Sequence, residues 1–88
     1  MVVDLTHPER PRHAEMTGPE MRAIRKRLGL STVQLGRAFG YVGVDNSVSV
    51  TVRKYESGGK PIPVWLSRLM VMYDRHGIPP EWLTGPAE

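Results

Sequence analysis

Hydrophobic and polar side chains recur along much of the chain with the period of an α-helix. The first such stretch places Met21, Ile24 and Leu28 on one side of a helix. It comes after residues 17–20 (TGPE), where threonine and glutamate have the spacing of a capping box and proline suits the first turn. The pattern predicts a first helix that ends near Gly29.

A second helix is predicted immediately afterwards, with Ser31 as its N-cap and Gln34 completing a capping box. Its apolar side consists of Leu35, Ala38 and Phe39. Gly40 is placed to end it. Gly36 lies inside this short helix, where glycine costs roughly 1 kcal/mol relative to alanine. Close approach of the next helix would compensate for that cost, so we expect a helix crossing at Gly36.

Residues 47–63 sort their side chains onto two sides when they are wound as a helix. Val48, Val52 and Tyr55 fall within about 60° of one another and predict a core face. The other side carries hydroxyl, methyl and cationic side chains, at Ser49, Val50, Arg53, Lys54 and Ser57. Such a mixture suits a helix that contacts base edges and phosphates in a DNA major groove.

The same stretch has an alternative interpretation as a β-hairpin. Valine alternates with hydroxyl residues over 48–52, and the valines at 42 and 44 precede a turn-forming Asp-Asn pair. The helix is favoured because its pattern continues to Glu56 and Gly58 is placed to end it. We therefore predict a loop over residues 40–46 and a third helix that begins near Asn46 or Ser47.

A fourth helix is predicted over residues 64–76 (VWLSRLMVMYDRH), after Ile62-Pro63 and before Gly77. Its core face is predicted to be Trp65, Leu69 and Met72, which repeat at helical spacing. The helix is apolar nearly all round, so a second side needs cover, from a dimer partner or from the N-terminal arm. Residues 78–83 predict a closing turn or short helix. The predicted class is all-α, with about five helices.

Positive charge is concentrated in the middle of the chain. The net charge of the whole sequence is +3, whereas residues 22–60 contain eight lysine and arginine residues and only two acidic ones, a net charge of +6. A polyanionic partner such as nucleic acid is the natural inference. The alternative is an ordinary solvated basic surface.

Several classes of chemistry find no support in the composition. The chain has no cysteine, and its three histidines lack zinc-binding spacing, so neither a metal site nor a cofactor is predicted. No nucleophile has a base nearby and no carboxylates pair on one face, so we do not expect an enzyme and assign no catalytic residue. No run approaches the roughly 20 apolar residues of a membrane span, and a cytoplasmic location is expected.

Three segments together resemble a known family. LSTVQLGRAFG at 30–40, TVRKYESG at 51–58 and GIPPEWLTG at 77–85 are similar to the lambda-repressor/Cro (XRE-type) helix-turn-helix DNA-binding family. The resemblance implies a compact five-helix domain at residues 16–88, preceded by an N-terminal arm at 1–15. Helices 2 and 3 would form the helix-turn-helix, and helix 3 would enter the major groove.

The resemblance also implies a set of DNA-binding residues: Arg25, Thr32, Ser49, Val50, Arg53, Lys54 and Lys60. The four on helix 3 would face the groove. Thr32 would meet a phosphate at the start of helix 2. Arg25 and Lys60 would bind the DNA backbone, and Gly36 would be the small residue at the crossing of helices 2 and 3.

The function implied is a sequence-specific regulator of transcription that binds double-stranded DNA. The expected form is a homodimeric repressor on a palindromic operator, of a phage, mobile-element or self-repressing type, without a sensory domain. One alternative is an antitoxin that binds a toxin protein and represses its own operon, and another is a non-specific nucleoid protein that binds all duplexes alike. The predicted connection at 40–46 departs from the usual length of about four residues. It could extend helix 3, contact the DNA backbone, or pack in a dimer.

Overall fold

The computed structural model describes residues 16–84, which form four α-helices followed by a 3-10 helix and contain no strand. The α-helices are α1 (Gly18–Arg27), α2 (Thr32–Ala38), α3 (Asp45–Ser57) and α4 (Val64–His76), and the 3-10 helix is Pro80–Thr84. The all-helical class is thus confirmed. Instead of about five α-helices, these residues contain four and one 3-10 turn. The predicted arm at 1–15 and residues 85–88 lie outside the described part.

The first two helices begin with the predicted capping boxes. The amide of Glu20 donates to the Thr17 hydroxyl at 3.2 Å, and the Thr17 amide donates to the Glu20 carboxylate at 2.8 Å. Ser31 and Gln34 make the equivalent pair at 3.1 and 2.9 Å. These contacts satisfy amides that a helix start leaves without partners, so local sequence alone determines where both helices begin.

Helices α2 and α3 cross at Gly36, as expected from the glycine inside α2. A Cβ atom at this position would clash with Cγ1 of Val48 and would lie 3.3 Å from Cγ2 of Val52. Both valines are buried. The missing side chain therefore lets the two helix backbones approach, and burial of the valines offsets the low helix propensity of glycine.

The α3 segment is a helix, and the hairpin alternative is wrong. Its C-terminus is at Gly58, whose φ of 84° is the left-handed conformation that glycine adopts without strain. Its start differs from the prediction, because Asp45 is already helical and the connection from α2 comprises residues 39–44. The Val44 carbonyl accepts from the Val48 amide at 3.1 Å, which brings Asp45 and Asn46 into the first turn.

One arginine holds this connection in place. The Arg37 guanidinium donates to the carbonyl oxygens of Tyr41 at 3.2 Å and Gly43 at 2.6 Å. It also forms an ion pair with Asp45 at 2.9 Å. The side chains of Val42 and Val44 are 68% and 69% exposed, so neither valine is covered by the described residues of the domain. The hydrogen bonds of Arg37 thus hold the backbone of the loop, and among its side chains Tyr41 packs against the core.

The core lies between α1, α2, α3 and the inner side of α4. From α4 it receives Leu66, Met70 and Tyr73, whose hydroxyl donates to the carbonyl of Ala38. The prediction that Trp65 and Met72 face the core is wrong, since they are 55% and 53% exposed, while Leu69 is partly buried. No helix among residues 16–84 has the length and apolar character needed to cross a lipid bilayer.

Candidate nucleic-acid interface

The outward face of α3 carries side chains of mixed chemistry. Val50 is 37% exposed, and Arg53 and Lys54 are exposed one turn further along the helix. Opposite them, Val48, Val52 and Tyr55 are buried against α1 and α2. The helix is therefore anchored by one side, and its methyl and cationic groups are free on the other, as the sequence predicted for these three residues.

Ser49 does not share that outward face. It is 6% exposed, and its hydroxyl lies 2.6 Å from the Thr32 hydroxyl at the start of α2. The prediction that Ser49 faces a DNA groove is contradicted by this burial. At 100° per residue Ser49 lies closer to Val52 than to Val50, and the partner on α2 satisfies its polar group. The serine therefore joins α3 to α2.

Thr32 is placed at the start of α2, as predicted, but its hydroxyl is already bonded to Ser49. Its side chain is half-buried rather than free. The backbone amide of Thr32 belongs to the first turn of a seven-residue helix. Any contact of this residue with a phosphate would therefore come from the amide and not from a free hydroxyl.

Arg25 is engaged inside the protein. Its Nε and Nη2 donate to the two carboxylate oxygens of Glu56 at 2.7 and 3.1 Å, and its Nη1 donates to the Leu30 carbonyl at 3.0 Å. The two side chains of the ion pair are only 13% and 8% exposed. A guanidinium so occupied joins α1 to α3, and no sequence pattern had indicated Glu56 as its partner.

Lys60 lies on the exposed loop after α3, with its ammonium 5.5 Å from the centre of the Tyr55 ring. This cation–π contact positions the charge without burying it. Three of the predicted residues, Arg25, Thr32 and Arg53, share one groove of about 540 Å³ between α1, α2 and α3. Arg22 of α1 also lines it. The groove therefore contains two exposed cations, from α1 and α3.

Two contributions to this surface were missed by the sequence interpretation. Arg22 is not among the predicted DNA-binding residues, although its place one turn before Arg25 on α1 was a usable signal. Asn46 was placed in the loop, but in the structure it is exposed on the first turn of α3. The acidic residue before it is typical of a helix start, and that signal could have extended α3 toward its N-terminus.

A tyrosine pair supports the loop beside this surface. The hydroxyls of Tyr41 and Tyr55 lie 2.9 Å apart, and the Tyr41 ring packs edge-on against Phe39. Burial, together with the hydrogen bond and charge interaction with Tyr55, raises the pKa of the Tyr41 phenol. The Tyr41 phenol therefore stays neutral to a higher pH than an ordinary tyrosine, and through its hydrogen bond it ties the connection to Tyr55 of α3.

Within residues 16–84 no three histidine, cysteine or acidic side chains are grouped so that they could hold a metal ion. No protein-family model matches the chain, and no curated protein or solved structure shows significant similarity to it. The geometry and charge of the surface itself are therefore the basis on which a function can be assigned.

Proposed function

We propose that this protein is a sequence-specific regulator of transcription that binds double-stranded DNA through the outward face of α3. The observation that carries the proposal is the pairing of a firmly anchored helix with a free face of Val50, Arg53 and Lys54. Arginine is suited to guanine edges, valine to thymine methyl groups, and lysine to phosphates.

The distribution of the remaining charge supports this proposal. Arg22 lines the same groove as Arg53, and Lys60 is exposed shortly after the C-terminus of α3, so two further cations are available for contacts with the DNA backbone. We place the domain, as a proposal, in the lambda-repressor/Cro-like helix-turn-helix group, with α2 and α3 as the motif. In this assignment the 3-10 helix takes the place of the fifth helix.

We further propose a homodimer that acts as a repressor on a palindromic operator in the cytoplasm. A domain of this size covers only a half-site, so two-fold symmetry would double the contacts. The exposed apolar side chains of α4, Trp65 and Met72, are the kind of surface that a second protein chain would cover.

That same observation favours a second candidate function. An exposed tryptophan and methionine on one helix would also suit a foreign protein, as expected of an antitoxin that binds a toxin and represses its own operon. A toxin-like gene beside the gene for this protein, and a stable complex of the two products, would favour the antitoxin over a free-standing repressor.

Selection of bound duplexes from a random DNA pool tests the main proposal, followed by titration of the selected operator. We expect half-site centres roughly 34–36 Å apart. Arg53→Ala should lose about 1–3 kcal/mol of binding free energy and relax preference at one base pair. Lys54→Ala should weaken all sequences alike and reduce the salt dependence of binding.

Arg75→Ala is the matched control, because Arg75 is an exposed cation on the last turn of α4, away from α3. It should leave the affinity for the operator nearly unchanged. Failure to enrich any sequence would refute specific DNA binding. Equal affinities for the Arg53, Lys54 and Arg75 variants would refute the assignment of α3 as the recognition helix.

A further inference from the structure

Asn46 occupies a special place on the outward face of α3, and a role for it in recognition rests on the proposed function. It lies on the first turn of α3, with Val50 and Arg53 on the next turns of the same outward face. In helix-turn-helix proteins the N-terminal residues of the recognition helix contact base edges. Asn46 would therefore be the polar side chain of α3 that reaches furthest into the groove.

The capping of α3 leaves the carboxamide of Asn46 without a structural task there. The N-cap residue is Val44, and no side chain makes a capping hydrogen bond at this end. Asparagine is also a weaker helix former than alanine. An exposed carboxamide at this position combines one acceptor with two donors, and this pattern matches N6 and N7 of adenine in the major groove.

The loop before α3 adds a second, apolar component a few residues before Asn46 in the chain. Val42 and Val44 are mostly exposed, although valine normally prefers the interior. The hydrogen bonds of Arg37 to the loop carbonyls hold the backbone that carries them. Methyl groups presented in this way suit the C5 methyl of thymine.

Arg37 also reduces an electrostatic obstacle at this end of the helix. The carboxylate of Asp45 would repel DNA phosphates, but the guanidinium of Arg37 lies 2.9 Å from it. The charges of the pair cancel at short range. The first turn of α3 therefore presents a neutral pair and a carboxamide, and the loop before it presents two valines.

We infer that Asn46 is a specificity-determining residue that pairs with an adenine in each half-site, while Val42 and Val44 contact the methyl groups of neighbouring thymines. The operator selected by this protein then contains A·T base pairs where the first turn of α3 enters the groove. Arg53 recognises a different base pair, because it lies nearer the C-terminal end of α3 than Asn46 does.

The experiment combines a protein variant with a change of single atoms in the DNA. On the selected operator, Asn46→Ala should weaken binding roughly 5- to 150-fold. Replacing one adenine at a time by 7-deazaadenine removes the N7 acceptor. At one adenine per half-site the natural protein should lose affinity several-fold, and Asn46→Ala should lose nothing more.

Thr51→Ala is the matched control, since Thr51 is on the same helix but outside the outward face, and its hydroxyl donates to the Ser47 carbonyl. It should respond to 7-deazaadenine as the natural protein does. Thermal unfolding of each variant establishes that it is folded. Uracil in place of the neighbouring thymine should weaken DNA binding by the natural protein more than it weakens DNA binding by the Val44→Ser variant.

The outcomes separate this inference from the proposed function. If the natural protein selects an operator but Asn46→Ala selects the same bases with the same affinity, the role of Asn46 is refuted and DNA recognition by α3 stands. An equal loss from 7-deazaadenine in both proteins would refute it in the same way. If the natural protein enriches no sequence at all, the proposed function and this inference both fall.

Discussion

Helices α3 and α4 are each 13 residues long and each leaves one side exposed, but the exposed sides differ in chemistry. The outward face of α3 carries a carboxamide and two cations around Val50. The outward face of α4 carries Trp65 and Met72, both more than half exposed. A charged, hydrogen-bonding surface suits a polyanion, whereas an apolar surface suits another protein chain. The small domain thus presents two different surfaces.

The two helices also differ in how well a helical pattern identifies the buried side. On α3 the apolar residues Val48, Val52 and Tyr55 form one stripe, and that stripe is the buried one. On α4 two stripes have the same spacing, one through Leu66, Met70 and Tyr73 and one through Trp65, Leu69 and Met72. Periodicity alone cannot choose between equal stripes.

The largest expected effect is a difference in stability between two methionine variants, one from each stripe of α4. Met70 is fully buried, whereas Met72 is 53% exposed. Met70→Ala should lower the free energy of unfolding by about 2–5 kcal/mol because it leaves a cavity. Met72→Ala should change it by less than about 0.5 kcal/mol. Urea unfolding followed by circular dichroism measures both, and equal losses would mean that α4 is turned differently.

The next effect concerns the inner side of α3, where Arg25 pairs with Glu56. Arg25→Ala should cost about 2–3 kcal/mol of stability, because it leaves a poorly exposed carboxylate without its cation. The double variant Arg25→Met with Glu56→Leu should recover most of that loss. If Arg25→Ala kept full stability but weakened DNA binding, Arg25 would instead belong to the DNA-facing surface.

A smaller effect tests whether Ser49 belongs to the inner or to the outer side of α3. Ser49→Ala removes the hydrogen bond to Thr32 and should cost about 1 kcal/mol of stability. It should not alter the preferred DNA sequence. Ser47→Ala, an exposed position on the same helix, is the control and should stay within about 0.5 kcal/mol. A changed base preference for the Ser49 variant would contradict its burial.

The smallest effect is a dependence on alkaline pH at the loop that leads to α3. The pKa of Tyr41 is raised in the folded state, so its neutral form is favoured there. Its contribution to stability is complete below the unfolded value of about 10 and is lost as the pH rises above it. Urea titrations at several alkaline pH values should show a shallower decline for Tyr41→Phe. An unchanged decline would rule out this linkage.

Features fixed by neighbouring residues could be predicted from the sequence. Short-range chemistry determines the capping boxes at Thr17 and Ser31 and the glycine that ends α3. The crossing at Gly36 follows from the single apolar stripe of α3 that packs against it. The outward positions of Val50, Arg53 and Lys54 could be predicted because these residues lie on the side of α3 opposite its apolar stripe.

Features fixed by distant partners could not be predicted. The burial of Ser49 depends on a hydroxyl 17 positions earlier, and the engagement of Arg25 depends on a carboxylate 31 positions later. Asp45 at the start of α3 also pairs with Arg37, a contact that its sequence neighbourhood does not indicate, because an Asp-Asn pair by itself suggests a turn. In each case the missing information was a tertiary contact.

The residues of α3 that pack against the domain and the residues that face outward are two separate sets. The residues that hold the helix, Val48, Ser49, Val52 and Tyr55, contact the rest of the domain, and the outward residues do not contribute to the core. Substitutions on the outer side therefore leave the core unchanged. Under the proposed function, this separation lets descendants of the protein acquire new operator preferences through single exchanges without first accumulating compensating changes in stability.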